Sequence, residues 1–484
     1  MMKGKRLISL LMVVAMLAAL LSACGGSGTT EPTKKSTEAT EPAPKVEASS
    51  SDISGKSVFV ISSARTFKGQ DEAWATIAAN FEAETGCHVD YQFNGNFTEL
   101  IQTFQAAKMS GATYDMSSLG AGNLHQSVAK SGVVMDITPL AEQLKDRVVE
   151  GTIDAHTIGG HTFGIPSSAL STMGLFINMD MLKELGLTLE PGYTYEELKA
   201  VCETVKAEKG FTALIHSGAD WWWWPSFFFA TFAQTTHNDS INQIEEWLRG
   251  NRSLVEDDAI QAFQLILDLF QDGVMDPASL QHDGTAVAAL FSQKKCLGFF
   301  ASPTNITYLK DVDFEIGYLP YPVWVEGAIP QSSGGGDEGT NLLTLGDPEN
   351  VVASARLLEY FLRPEVNASV NQLSDNFGYA VIGVEGTKTQ ISDAAYNLFT
   401  ENTIRYLDWF WDAEHNDAVV KAIQGLVGME ITAEQAAQMV QDCYDSSVAD
   451  NDYVYEWWNS EDWDWSKVAM PYDVDLNLDC FTGL

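Results

Sequence analysis

Positive charge is scarce in this sequence. Of 484 residues, 28 are Lys or Arg against 66 Asp or Glu, a formal charge of −38. Such a chain offers no basic surface for a nucleic-acid backbone or an anionic membrane. Cysteine is scarce too. Cys24, Cys87, Cys202, Cys296, Cys443 and Cys480 show no C-x-x-C spacing, which removes the usual zinc and dense-disulfide frameworks. Most of these thiols are expected to be small buried hydrophobes, and one disulfide among them stays open. The eight His are dispersed. No G-x-S-x-G, H-E-x-x-H or G-x-x-x-x-G-K-[ST] occurs, so serine hydrolase, zinc protease and P-loop chemistries lack their signatures. Acidic pairs such as Asp257 with Asp258, or Glu245 with Glu246, are neighbours in sequence, whereas a glycosidase needs two carboxyls facing each other across a sugar. Asp450-Asn451-Asp452 is too short for a calcium loop. The expectation is a protein that is not an enzyme, with no cofactor and no metal.

Long apolar runs are also missing, with one informative exception. Leu7 to Leu21 is nearly unbroken but falls short of the ~20 residues of a spanning helix. It follows the basic Lys3, Lys5 and Arg6 and precedes Leu21-Ser22-Ala23-Cys24. This order is that of an export signal, and its end resembles the lipobox of bacterial lipoproteins, which implies removal of residues 1–23 and acylation of Cys24. Three positive charges would leave with the signal, taking the chain to −41. Residues 24–55, rich in Gly, Ser, Thr, Glu, Pro and Lys, read as a flexible tether.

What is present beyond the tether is a core-forming composition, 45% apolar and 11% aromatic. Ser57 to Ile61 reads as a buried strand, and Trp74, Ile77, Ala78 and Phe81 as one face of a helix that stops at Gly86. His88 to Phe93 alternates as a second strand. Leu100, Ile101, Phe104 and Ala107 form a second helical stripe, and Asp115 to Leu119 a third strand. Strand, helix, strand, helix, strand is the pattern of a parallel α/β sheet, whose ligand crevice lies beyond the strand C-termini. The loops 66–71, 94–97 and 120–125 would line it. A second unit begins after Gly164-Ile165-Pro166, with strands at Leu175 to Asn178 and Cys296 to Phe300, and an edge strand from Phe314 that Pro320 ends. Thr194 opens a capped helix, and Ala259 to Phe270 forms a strongly amphipathic one. From Val351 the tail is mostly helical.

The motif order then becomes recognisable. Trp74 to Val89, Ser131 to Leu140, Phe163 to Leu182, Phe291 to Pro303 and Gly334 to Phe361 together resemble extracellular solute-binding proteins of ABC importers, in the maltose-binding-like, sugar-binding group. That resemblance implies two α/β lobes, each a mostly parallel sheet flanked by helices, with the ligand in the cleft between them. It implies lobe 1 over 56–168 plus 301–337 and lobe 2 over 169–300 plus 338–484. The implied protein is a monomer, held outside the cell membrane by its lipid alone, which binds a sugar or oligosaccharide and delivers it to an ABC permease. A secreted polysaccharide-degrading enzyme, or a binder of a polyol or peptide, is the alternative.

The same resemblance nominates ligand contacts. Lys68, Gln70 and Asp71 match the polar loop before the first helix, Asn96 the loop after the second strand and Asn123 the loop after the third. Ser168, Thr304, Asn305, Gly335 and Asp337 stand at the crossings between lobes. Trp221 and Trp222, just before a helix start at Pro225, take the ring-stacking position, since aromatic faces suit the apolar faces of sugar rings. Trp411, in the aromatic stretch from Arg405, takes the place of a late aromatic brought onto the ligand. The group Trp457, Trp458, Trp463 and Trp465 falls past the resembling region and receives no ligand role.

Overall fold

In the computed structural model the described residues are 46–47, 52–62, 70–94, 97–120, 122–166, 170–220, 223–309, 312–336, 338–374, 380–384, 390–450 and 454–478. All belong to one compact unit, Lys45–Leu484.

The chain starts as its periodicity predicts. Strand β1 (Ser57–Ser62), helix α1 (Gln70–Thr85), strand β2 (His88–Phe93), helix α2 (Phe97–Ser110), strand β3 (Met116–Gly120) and helix α3 (Asn123–Lys130) follow in order. Strand β1 runs parallel to both others, with Ser62 opposite Phe93 and Ser118. All three strands therefore end on one edge. Ile77 and Phe81 of α1 pack with Val58, Val60 and Val89 in a buried core.

Strand β4 (Ile165–Pro166) ends on that same edge, and the chain leaves through β5 (Leu170–Thr172) into β6 (Gly174–Asn178). Next come α4 (Tyr195–Lys209), β7 (Leu214–Ile215), α5 (Pro225–Thr235), α6 (Ser240–Leu248), α7 (Asp257–Gln271), β8 (Gly298–Ala301) and β9 (Ile316–Leu319). Thr194 caps α4 as expected. Its hydroxyl accepts from Glu197 N at 3.2 Å, while the Glu197 carboxylate accepts from Thr194 N at 2.7 Å. Helix α5 is buried at every position, as its Phe-rich sequence demands of the centre of a core. The second sheet has the order β7-β8-β6-β9, so the strand ended by Pro320 does lie on an edge.

The return is through β10 (Ser332–Gly336) and β11 (Glu338–Leu342), which pairs antiparallel with β3 and β4 in the first sheet. Helix α8 (Val351–Phe361) packs on this sheet. After 390 the chain is back on the second core with β12 (Thr403–Arg405), α9 (Ala413–Val427) and α10 (Ala433–Ala449). It then crosses once more, and residues 457–476 pack on the first lobe.

These pairings redraw the lobe boundaries. Residues 312–320, expected in lobe 1, belong to lobe 2, because β9 pairs with β6. Residues 338–384, expected in lobe 2, carry β11 and α8 of lobe 1. The stretch 291–303, which the resemblance takes as a second crossing between lobes, does not cross, since β8 stays within the second sheet. Among the described cysteines, Cys87, Cys202 and Cys296 are buried and free, and Cys443 is half-buried and free.

Helix α8 carries a buried charge. The Glu359 carboxylate is fully buried, accepting from Arg363 at 2.9 Å and from Arg147 at 2.5 Å, and Arg363 reaches on to Glu84 of α1 at 2.8 Å. Removing one partner of a buried cluster leaves the other charges uncompensated. Glu359→Ala is therefore expected to cost about 3–5 kcal/mol in urea unfolding, and a change below about 1 kcal/mol would show the cluster to be dispensable.

Candidate functional site

The register brings the functional edges of the two sheets to the same place. Glu338, the first residue of β11, lies opposite Gly120, the last of β3. In the other lobe Ala301, the end of β8, lies opposite Gly174, the start of β6. Between them β5, β10 and β12 form a small linking sheet in the order β12-β10-β5, with Gly336 opposite Leu170 and Gly334 opposite Arg405. The connections from β5 and β10 into the lobe sheets attach at these edges, so the edges face each other.

A pocket of ≈ 180 Å³ lies there. Lobe 1 contributes Gly122, His125 and Gln126 from the start of α3, and Asp154, Ala155, Thr157, Ile158 and Gly159 from the turn before β4. Lobe 2 contributes Glu245 of α6, Arg405 of β12, Trp409 and Phe410. The C-terminal segment supplies Tyr455, Glu456 and Trp458. A larger open hollow of ≈ 610 Å³ near Val312 to Ile316 sits at the far end of β9, away from the facing edges.

Trp409 is the central side chain. Its indole fills the space over two glycines, where a Cβ on Gly335 would fall 1.9 Å from the ring and one on Gly122 2.4 Å from it. Both positions need glycine for this close approach. The Gln126 side-chain amide donates to the Trp409 carbonyl, which ties α3 of lobe 1 to lobe 2. Arg405 of lobe 2 pairs with Asp154 of lobe 1 at 2.8 Å.

Lobe 1 carries two buried imidazoles next to this site. His125 and His156 meet edge to face with centroids 4.9 Å apart, and Gly339 of β11 leaves the room for His156. Asn341 of β11 donates to His125 Nε2 at 3.0 Å and to the Phe163 carbonyl at 2.7 Å. His125 therefore carries its proton on Nδ1, which has no partner. Neither nitrogen of His156 has one. Burial pushes the His125 pKa down to about 4 and that of His156 well below the ordinary value of 6.5.

The nominated residues fare unequally. Gly335 lies in the site, under Trp409. Asp71 is exposed in the first turn of α1. Gln70 and Asn123 begin α1 and α3, and Thr304 lies in the turn Pro303–Leu309 after β8, but their side chains are outside the described set. Asn305, in that turn, is buried near Gly284. Lys68, Asn96, Ser168, Trp221, Trp222 and Asp337 lie outside the described residues.

Trp411 requires a correction. It is 1% exposed, wedged against Phe229 and Trp247 in the core of lobe 2, with its indole nitrogen on Asn416. The reason is local. Asp412 caps α9 by accepting from Glu414 N and His415 N, so Trp411 precedes the cap and packs inward. Trp409, two residues earlier, takes the cleft position, and that capping signal was available in the sequence. His125, His156, Asp154 and Arg405 had no comparable signal, since nothing local relates them.

With this geometry in view, comparison places the chain in a class. The sequence profile of the bacterial extracellular solute-binding proteins matches residues 66–368, more than half of the chain. This protein belongs to that family, and it is a binding protein, not an enzyme. A curated relative, the arabinooligosaccharide-binding protein of Bacillus subtilis (strain 168), is 22% identical over 212 residues, 42% of this chain. The match spans 45% of that relative's length. Among solved structures, a chitin oligosaccharide binding protein superposes with a TM-score of 0.69 at 19% identity, over 82% of this chain and 100% of the other. The binding protein RafE in complex with raffinose gives 0.64 at 19% identity, over 81% and 99%. The shared fold is the two-lobed one. Among the described residues no helix is long and apolar enough to cross a membrane, and no group of three or more His, Cys, Asp or Glu is placed to hold a metal ion.

The histidine pair makes stability depend on pH. Both rings are neutral in the fold, whereas an unfolded chain protonates them near the ordinary value of 6.5. The unfolded state thus binds more protons below that pH, and stability falls as pH drops through 6.5, for His125 down to about 4. Thermal melts across this window should show a shallower decline for His125→Asn than for the unaltered chain. Parallel declines would remove His125 from the account.

Proposed function

We propose that this chain is the lipid-anchored extracytoplasmic binding component of an ABC importer, that its ligand is an uncharged oligosaccharide held between the lobes, and that a permease receives it. The observation that carries the reading is the interlobe pocket built on Trp409. The Trp409 face stands among Gln126, Asp154, Arg405 and His125, side chains whose polar groups can satisfy hydroxyls. The names of the similar proteins support it, since they bind arabino-oligosaccharide, chitin oligosaccharide and raffinose.

The pocket is smaller than the ~300–1,000 Å³ usual for a small-molecule site, so the lobes must part and Trp409 must yield for a ligand to enter. In this reading Trp409 then stacks on a sugar ring. Residues on the facing loops complete the shell: Lys68, Gln70, Asp71, Asn96, Asn123, Ser168, Trp221, Trp222, Thr304, Asn305 and Asp337, with Gly335 as the floor. Residues 1–23 are the signal, and the tether expected over 24–55 is shorter than that, since Val46 and Glu47 pair with Tyr472 and Asp473 and Ile53 is buried in the core of lobe 1.

Titration calorimetry against arabino-oligosaccharides, chito-oligosaccharides, raffinose and maltodextrins is expected to find at least one ligand. Trp409→Ala should weaken it by at least ~10-fold, as loss of a central aromatic anchor does. Binding of a peptide or polyol and of no sugar would overturn the carbohydrate assignment. For the anchor, Cys24→Ser is expected to move the protein from the membrane fraction to the soluble fraction and to abolish labelling by radioactive palmitate. Unchanged labelling would place the lipid elsewhere.

A further inference from the structure

The tryptophans past the family match form a built structure. Tyr455 still packs on the core of lobe 2, and from Trp457 the chain runs along lobe 1 as a strap whose attachment there is extensive. Trp457 is buried, Trp463 meets it edge to face at 4.6 Å, and Trp465 stacks on His161 at 3.6 Å. His161 is held by Asp136 at 2.6 Å, and Asp136 N donates to the Val468 carbonyl at 2.7 Å. Trp458 lies flat against Gly159, where a Cβ would fall 2.5 Å from the indole.

The near end of the strap does something different. Glu456 adopts a left-handed backbone, φ 55°, a conformation uncommon outside glycine. It stands where the chain leaves lobe 2 for lobe 1, and there Arg249 at the end of α6 pairs with it at 3.0 Å and lies 5.2 Å over the Tyr455 ring. Tyr455, Glu456 and Trp458 all face the pocket that Trp409 occupies from the other side.

We propose that this strap is the third wall of the ligand site: Tyr455 and Trp458 contact the bound saccharide, and the Glu456–Arg249 pair latches the closed cleft over it. The proposal rests on the carbohydrate reading above. A strap anchored on one lobe and latched to the other contacts ligand only when the lobes close. Its aromatic pair would act on affinity and its ion pair on the rate of release.

The test uses the full chain and the saccharide that binds it best in the panel above. Tyr455→Ala and Trp458→Ala are each expected to weaken binding by roughly 10-fold or more, as buried aromatic anchors do. Glu456→Gln and Arg249→Gln should each speed dissociation in stopped-flow fluorescence by several-fold, with little effect on melting temperature. Should Trp458→Ala fail to fold, Tyr455→Ala and Glu456→Gln decide. Folded aromatic variants with unaltered affinity, or latch variants with unaltered dissociation, would make the strap mere scaffolding while leaving the carbohydrate reading intact. Failure of the unaltered chain to bind any saccharide would remove that reading and the strap's role with it.

Discussion

Everything in the cleft depends on where the chain crosses between lobes. The strands β5 and β10 pair with each other, and each continues directly into a lobe sheet at its C-terminal edge. A parallel sheet collects its loops, helix N-termini and unpaired backbone groups on that edge. Because both lobes are hinged at this end, two such edges are held opposite one another, and side chains distant in sequence meet there. Gly335 shows how tight the constraint is. Any side chain on this strand position would occupy the space of the Trp409 ring.

The contacts that close the cleft are weak one by one. Arg405 with Asp154 and Arg249 with Glu456 are partly exposed pairs, and such pairs contribute about 0–1 kcal/mol each. The Trp409 ring against two glycines adds apolar contact but no deep burial. Each lobe, by contrast, has extensive buried apolar clusters of its own. The energy that separates open from closed is thus small beside the energy that holds each lobe. A ligand bridging the lobes has only that small difference to overcome.

The sequence was most readable where structure is local. Alternating strands and helical stripes place β1, α1, β2, α2 and β3 within a few residues, and the Thr194–Glu197 pair announces α4 outright. It was least readable where pairing is distant. Nothing in residues 314–319 tells that β9 joins β6, its partner being far upstream and antiparallel. The same holds for the strap, whose Trp residues become intelligible only once His161 and Gly159 are seen beneath them. Trp409 and Trp411 are an intermediate case. Both are legible as important aromatics, and only the cap at Asp412 sorts inside from cleft.

Charge at the cleft agrees with a neutral ligand for a reason separate from the stacking geometry. Three carboxylates, Asp154, Glu245 and Glu456, line the pocket, and each is within 3.1 Å of an arginine nitrogen, from Arg405 or Arg249. An anion would have to displace a carboxylate from its arginine inside a chain of formal charge −38. A cation would have to compete with those arginines in the same way. A polyhydroxylated ligand pays neither cost, because its hydroxyls can donate to the carboxylates and accept from the guanidinium groups without breaking the pairs. The acidity of the whole protein therefore says little about the ligand, while the local pairing argues against a phosphorylated or strongly charged one.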